Sequence, residues 1–560
     1  MRKNLLLISL LVATAISATD VNLNWYSSLV SPAGKPQTQI FDIQINGSGD
    51  AFVLGHTGSI HATDESTFLG ETFTGADYGT STSYNRNLLF TKVNLQGNLI
   101  WAVRSTDGDY SDAAFCATAD GGAVLALKFR LTNKNQVTDT VAPYLTLVDA
   151  TGESHSLKTK FTGSNFNHLV LVNITPAGEI TKMTTLYTAS VAPNGTATDA
   201  ASISAIAQDE EGNLYFAGKQ ALDIAIGTDT LRAVHTGQWD GDMQGLSNYS
   251  NSFIIKTDKD FNHLAHVTAT GTVTADQIMK MSYKNGKLIV VGHILSTEDA
   301  TGKTFLFGGA EALIKDRSIL VAQLDKNLTC SYIAPVQQAA AGDRNKGVQL
   351  QQMTWAEDGN SIFVVGGIQN GILFKGTEIY AGGGTAPGKM YDGIIMHIDA
   401  ATGNLLHATF AGNTALNQHT GIVTFGKDTV LTINYAMSGG GVNLYKYTAD
   451  LQFVDKTQLA KQGNMLNVTA SAARYKNTLL MTFRARGGSD VTLADQTIKQ
   501  STTWYNTLVA WTLPGAPSTP TDNVPATVPA NDDKAQKVII DGKLYIRRGN
   551  QLFNALGQQL

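Results

Sequence analysis

The stretch ISAIAQDEEGNLYFAG (203–218) reads as a single hairpin: an alternating strand, an Asp-Glu-Glu-Gly-Asn turn, and a near-continuous apolar strand. FDIQINGSGDAFVLG (41–55), AAFCATADGGAVLAL (113–127), IMKMSYKNGKLIVVG (278–292), LQQMTWAEDGNSIFVVG (350–366), GIVTFGKDTVLTINY (421–435) and ASAARYKNTLLMTFR (470–484) are variants of it. A second hairpin follows each, among them NLLFTKVNLQGNLIWAV (87–103), HLVLVNITPAGEITKM (168–183), SFIIKTDKDFNHLAHV (252–267) and SILVAQLDKNLTCSYI (318–333). Two hairpins make a four-stranded sheet, and a period of this size marks stacked supersecondary units. The expected fold is therefore all-β: a seven-bladed β-propeller.

The seventh repeat supplies NTLVAWTL (506–513) as its third strand, and the chain then leaves without a fourth. VNLNWYSSLV (21–30) resembles the fourth strand GNLIWAVRST (97–106), so an N-terminal strand is expected to close the ring and remove its free sheet edges. The expected propeller spans 19–513. The charged fraction is 16%, the formal net charge is −5, and 54 Gly stand against 12 Pro. That balance suits a turn-rich β protein; nucleic-acid binding, which needs clustered Lys and Arg, is not expected.

Arg2 and Lys3 before an apolar stretch, with small residues at Ser17-Ala18, make 1–18 an expected signal peptide. No later segment approaches the length of a transmembrane helix, so no membrane span is expected in the mature chain. Residues 514–536 hold five prolines and no aromatic residue, which describes an extended, disordered Pro/Thr-rich tether. Residues 537–560 carry two turn signals, Asp541-Gly542 and Gly549-Asn550, and read as a small C-terminal β-hairpin unit. Cys116 and Cys330 fall in different repeats, too far apart for a disulfide.

Two resemblances are specific. Asp209-Glu210-Glu211-Gly212-Asn213-Leu214-Tyr215-Phe216-Ala217-Gly218, followed by Ser252-Phe253-Ile254-Ile255-Lys256-Thr257-Asp258, resembles the bacterial SBBP-type β-propeller repeat over roughly residues 21–513. It implies a secreted or surface propeller and brings no common catalytic residues. Gly542-Lys543-Leu544-Tyr545-Ile546 and Phe553-Asn554-Ala555-Leu556-Gly557-Gln558 resemble the C-terminal signals of proteins exported by type IX secretion. That implies contact with export machinery through Lys537–Leu560 and a destination at the cell surface, outer membrane or extracellular space, with the periplasm as the alternative.

The candidate site residues lie on the face carrying the long second-to-third connections. Asp107, Asp109 and Asp112 could converge on Ca²⁺, the one cofactor suggested, although an ordinary solvated turn has the same composition. Trp239, Asp240 and Asp242 could stack on a sugar or hold a cation, and again a turn explains them. His263 and His266, three apart in a strand, are expected on opposite faces. The sialidase box, the zinc helix and the Gly-x-Ser-x-Gly turn are missing. The first reading is a non-catalytic protein binding a glycan, peptide or surface protein. A surface glycan-processing enzyme with scattered carboxylates, or a structural surface component, are the alternatives.

Overall fold

The computed structural model describes residues 21–30, 38–59, 64–74, 85–106, 109–130, 143–158, 167–188, 201–221, 223–234, 250–273, 276–294, 301–315, 317–339, 348–368, 371–380, 392–411, 417–436, 441–462, 466–467, 471–485, 490–498, 505–514, 536–540, 543–548 and 551–554. The chain divides into two units, Met1–Ala516 and Pro517–Leu560. The second contains three antiparallel strands, Gln536–Ile540, Lys543–Arg548 and Gln551–Asn554. No helix among the described residues is long and apolar enough to cross a membrane.

The first unit is a β-propeller. Its innermost strands Gln39–Ile45, Asp109–Ala117, Ala201–Gln208, Asp276–Lys284, Val348–Trp355, Asn417–Thr424 and Ala472–Tyr475 pack side by side around an axis. Each opens a sheet of antiparallel strands stepping outward. Asn22–Leu29 pairs with Tyr505–Thr512 from Asn22↔Thr512 to Leu29↔Asn506, so the two ends of the propeller share one sheet.

The expected count of seven blades is corrected to eight: seven sheets of four to six strands and a reduced, three-stranded one of Thr270–Gly271, Lys303–Phe307 and Ala310–Ile314. Its hairpin, TFLFGGAEAL (304–313), lies within a long second-to-third connection. Elsewhere such hairpins pair with the outermost strand of the preceding blade, as Leu147 does with Ser105, Ala225 with Tyr187, Phe374 with Val336, and Leu493 with Ala460. Here that outermost strand, His263–Thr268, breaks at Ala269, and the hairpin takes Thr270–Gly271 instead. Gly271 has φ 108°, and a Cβ there would lie 2.3 Å from the Thr304 carbonyl oxygen, so the break depends on glycine.

The core lies between blades. Phe52, Phe90 and Trp101 of one blade pack with Phe115, Leu125, Phe129 and Val170 of the next, Phe90 meeting Phe115 edge-on at 5.1 Å. Middle strands are buried on both faces, which is why they read as unbroken apolar runs. Where an acidic or Asn residue opens a tight turn, it has a structural task. Asp209 Oδ1 accepts the N–H groups of Glu211 (3.0 Å) and Asn213 (2.8 Å), and Asn94, Asp258 and Asp325 repeat this. Neighbouring blades are locked by aromatics. Trp101 covers Gly178 of the next blade, where a Cβ would come within 2.7 Å of the indole, and its Nε1 donates to the Pro176 carbonyl at 3.0 Å. Trp25 repeats the lock on Leu95 at 2.7 Å.

Every first strand from Gln39–Ile45 to Asn417–Thr424 carries a β-bulge near its start, for example between Ile203 and Ala205 and between Ile278 and Lys280. The bulge drives a carbonyl against the partner strand. A Cβ on Gly218 would lie 1.8 Å from the Ser202 oxygen, so the Gly ending YFAG is a space requirement. Fourth strands also bulge, and the extra residues Ile100, Leu264, Leu406 and Val454 are among the exposed apolar residues.

The closing strand pair makes a checkable demand. Trp511 is 1% exposed and pairs with Leu23 and Leu479. Trp511→Ala is expected to cost about 3–5 kcal/mol in chemical denaturation, whereas Ile100→Ala, 47% exposed, is expected to stay within about 0.5 kcal/mol.

Candidate functional site

The bulges set a ring of side chains at one level of the axis. The residue following the bulge is Asp42, Asp112, Ala205, Lys280, Gln352 or Gly421 in successive blades. First strands begin on the face of the long connections, so this ring lies near that face. Lys280 Nζ reaches Asp42 Oδ2 at 3.9 Å from another part of the ring, and their side chains remain 29% and 26% exposed. Ser471, from the last blade, donates its hydroxyl to Asp42 Oδ1 at 2.8 Å and accepts the Ile43 N–H at 2.7 Å. Gln352 joins two further blades, its Nε2 donating to the Ala472 carbonyl (3.0 Å) and its Oε1 accepting the Ile422 N–H (2.9 Å). Below this level Gln44 splices two strands in the same way, through the Phe115 carbonyl and the Ala117 N–H.

The arrangement is a polar floor of mixed sign that water reaches, able to accept and donate hydrogen bonds. The Asp42–Lys280 ion pair is partly hydrated, so it contributes at most about 1 kcal/mol to the fold. Asp112, a member of this ring, stands opposite Lys128 of the neighbouring strand Ala123–Arg130. Asp107 lies outside the described residues, as does the Asp109 side chain, so the three acids are not seen together. Trp239, Asp240 and Asp242 also lie outside the described residues.

The expectation for His263 and His266 is corrected. The fourth-strand bulge leaves Leu264 unpaired, with His263 opposite Thr257 and His266 opposite Ile255. Both imidazoles therefore share a face, and His266 Nδ1 lies 3.0 Å from His263 Nε2.

Two other clusters are architectural. Asp149, Glu153 and His155 bring ligand atoms within 4.8 Å of one another. Asp149, however, already accepts from Thr151 N (2.9 Å), Thr151 Oγ1 (2.7 Å) and Glu153 N (3.1 Å), and contacts His155 Nε2 at 2.9 Å. Burial alone would push its carboxyl up; the bonds from Thr151, His155 and the Ile180 N–H outweigh it and hold the group at about 2. Asp209, Tyr215 and Lys256, the residues of the repeat motif, form a buried network: the Tyr215 hydroxyl donates to Asp209 Oδ2 at 3.0 Å and Lys256 Nζ lies 3.7 Å away. Cys116 and Cys330 are unpaired, and burial pushes their thiols up to about 12 and about 11.

The axial residues escaped the sequence reading because no motif joins them. Aligning the repeats on Gly55, Gly218, Gly292 and Gly366, with gaps for turns of unequal length, puts Asp42, Ala205, Lys280 and Gln352 in one column, each paired with the residue before that glycine. That variable column in a repeated frame was the available signal.

No known protein family matches the chain, and no curated protein matches it. Among solved structures it is similar to a protein of unknown function from Dyadobacter fermentans, at 11% identity and a TM-score of 0.38, over 88% of this chain and 99% of that one. It is also similar to the WD40 β-propeller domain of Doa1, at 10% identity and a TM-score of 0.24, over 72% of this chain and 93% of that one. A structure from a study of two prolyl endopeptidases matches at 9% identity and a TM-score of 0.36, over 92% of this chain and 53% of that one. None of these scores carries the assignment, which rests on the sheets themselves.

Acid should weaken the blade contacts through buried histidines. His293 Nε2 accepts the Leu350 N–H of the next blade at 2.7 Å, and burial pushes its pKa down to about 4. A folded-state value below the unfolded one means stability is present above the unfolded pKa and is lost as pH falls toward the folded one. Between pH 7 and 4 the wild type should lose up to about 3 kcal/mol from this group. His293→Gln keeps an acceptor without titrating, so urea midpoints against pH should be flatter in that variant.

Proposed function

We propose that the protein is an exported β-propeller that binds a glycan, peptide or protein through the face of its long connections, without catalysing a reaction on it. The observation that supports this is the axial floor. Asp42, Lys280 and the neighbouring amide of Gln352 offer donors and acceptors of both signs at one level, still reached by solvent. A carboxylate held by a lysine and by the Ser471 hydroxyl is suited to hydrogen-bonding a polyhydroxylated or peptide ligand.

The same proposal places 1–18 as an export signal and Lys537–Leu560 as the segment read by export machinery, on the resemblance those residues carry. Ca²⁺ at Asp107, Asp109 and Asp112 belongs to it as an accessory ligand. Titration of the full chain with Ca²⁺ should then raise its thermal midpoint, and Asp112→Asn should remove the rise.

A glycan and peptide array probed with the full mature chain should yield ligands whose retention falls at least tenfold in the Asp42→Ala/Lys280→Ala double variant. Hydrolysis of the bound glycan by the wild type would replace the binding reading with the enzymatic one. Deleting 537–560 should abolish surface exposure in the native host; unchanged exposure would overturn the export assignment.

A further inference from the structure

Asp229, His263 and His266 form a chain of hydrogen-bonding groups at the periphery of the propeller. His263 Nδ1 lies 2.7 Å from Asp229 Oδ2, and His263 Nε2 lies 3.0 Å from His266 Nδ1. The rings are stacked, with centroids 5.1 Å apart and planes inclined by 29°. The three residues come from two segments. Asp229 opens the second strand of the Ile224–Leu231 hairpin, which is paired to the preceding blade, while both histidines lie in the fourth strand of their own blade.

The proton inventory of this chain is informative. Asp229 accepts only if His263 carries its proton on Nδ1, so His263 Nε2 presents a lone pair. A carboxylate fixing one nitrogen of an imidazole so that the other is free is the arrangement that orients histidine ligands around transition metals. The facing atom is a second imidazole nitrogen. At about 2.1 Å from a common metal, nitrogens 3.0 Å apart subtend about 90°, the cis angle of a tetragonal shell rather than a tetrahedral one. His263 is mostly enclosed and held by Asp229, whereas His266 is exposed and free to rotate its ring toward the shared point.

We propose that His263 and His266 form a two-imidazole chelate for a divalent ion of tetragonal preference, Cu²⁺ first, with Asp229 as the positioning residue that fixes His263. Binding at His266 Nδ1 takes that ring in its Nε2–H tautomer, so the proton between the rings moves through solvent from Nδ1 to Nε2 with no net release; water completes the coordination shell, and no oxidation change is involved. The site joins a hairpin belonging to one blade's sheet to the strand of the next, so occupancy would also pin that seam.

The test is titration of the full chain with one equivalent of Cu²⁺, read by electron paramagnetic resonance and by competition with a chelator of known affinity. The wild type should show a tetragonal signal with coupling to two nitrogens. His266→Gln, at an exposed position, and His263→Gln should each weaken binding at least tenfold and lose the two-nitrogen pattern. Asp229→Asn should keep the pattern and weaken binding by about tenfold. His155→Gln, in the other histidine-containing cluster, should change neither. An unchanged signal in His266→Gln, or a wild-type affinity equal to that of the His263→Gln/His266→Gln double variant, would overturn the assignment. Thermal midpoints measured without metal identify any variant that fails through misfolding, and His266→Asn then takes its place.

Discussion

Ring closure is the contact on which the propeller depends. Asn22–Leu29 and Tyr505–Thr512 lie at opposite ends of the first unit, and their pairing completes a sheet that neither end could form alone. The entropy of joining distant segments grows only slowly with loop length, about 0.6 kcal/mol for each doubling. Burying Leu29, Leu508 and Trp511 outweighs that increment several times over. An unclosed ring would leave the apolar face of a terminal blade and the N–H row of an edge strand exposed.

Within that ring the repeated devices are small and local. One bulge near the start of the first strands from Gln39–Ile45 to Asn417–Thr424 turns a particular residue toward the axis, and one in the fourth strand turns another outward. The frame stays constant while residues in these columns vary, so Asp42 and Lys280 can meet at the axis and His263 can meet His266 at the rim. Repeat proteins gain specific surfaces this way: architecture is inherited with the repeat, and chemistry enters by substitution at positions the frame has already aimed.

The residues that carry the family-like motif do architectural work. Asp209 caps a turn, Tyr215 and Lys256 bond to it, and all three are buried. A signature of this sort therefore speaks to fold, and the ligand must be sought in the columns where the repeats differ.

Strand positions, tight turns, the unpaired cysteines and the pairing of the two propeller ends were legible in the chain, because each rests on local alternation, on turn chemistry, or on likeness between repeats. The eighth blade was not legible, since it arises from a break at Ala269–Gly271 that matters only when a hairpin from elsewhere lies beside it. The axial floor and the histidine pair were hidden for a related reason. Alternation by twos assigns every side chain to a face, and a single bulge reverses that assignment for all residues beyond it. Sequence alone determined the repeating unit, whose forces act between near neighbours. Tertiary structure alone decided which side chains meet, because partners such as Asp42 and Lys280 come from different blades and are brought together only by the closed ring.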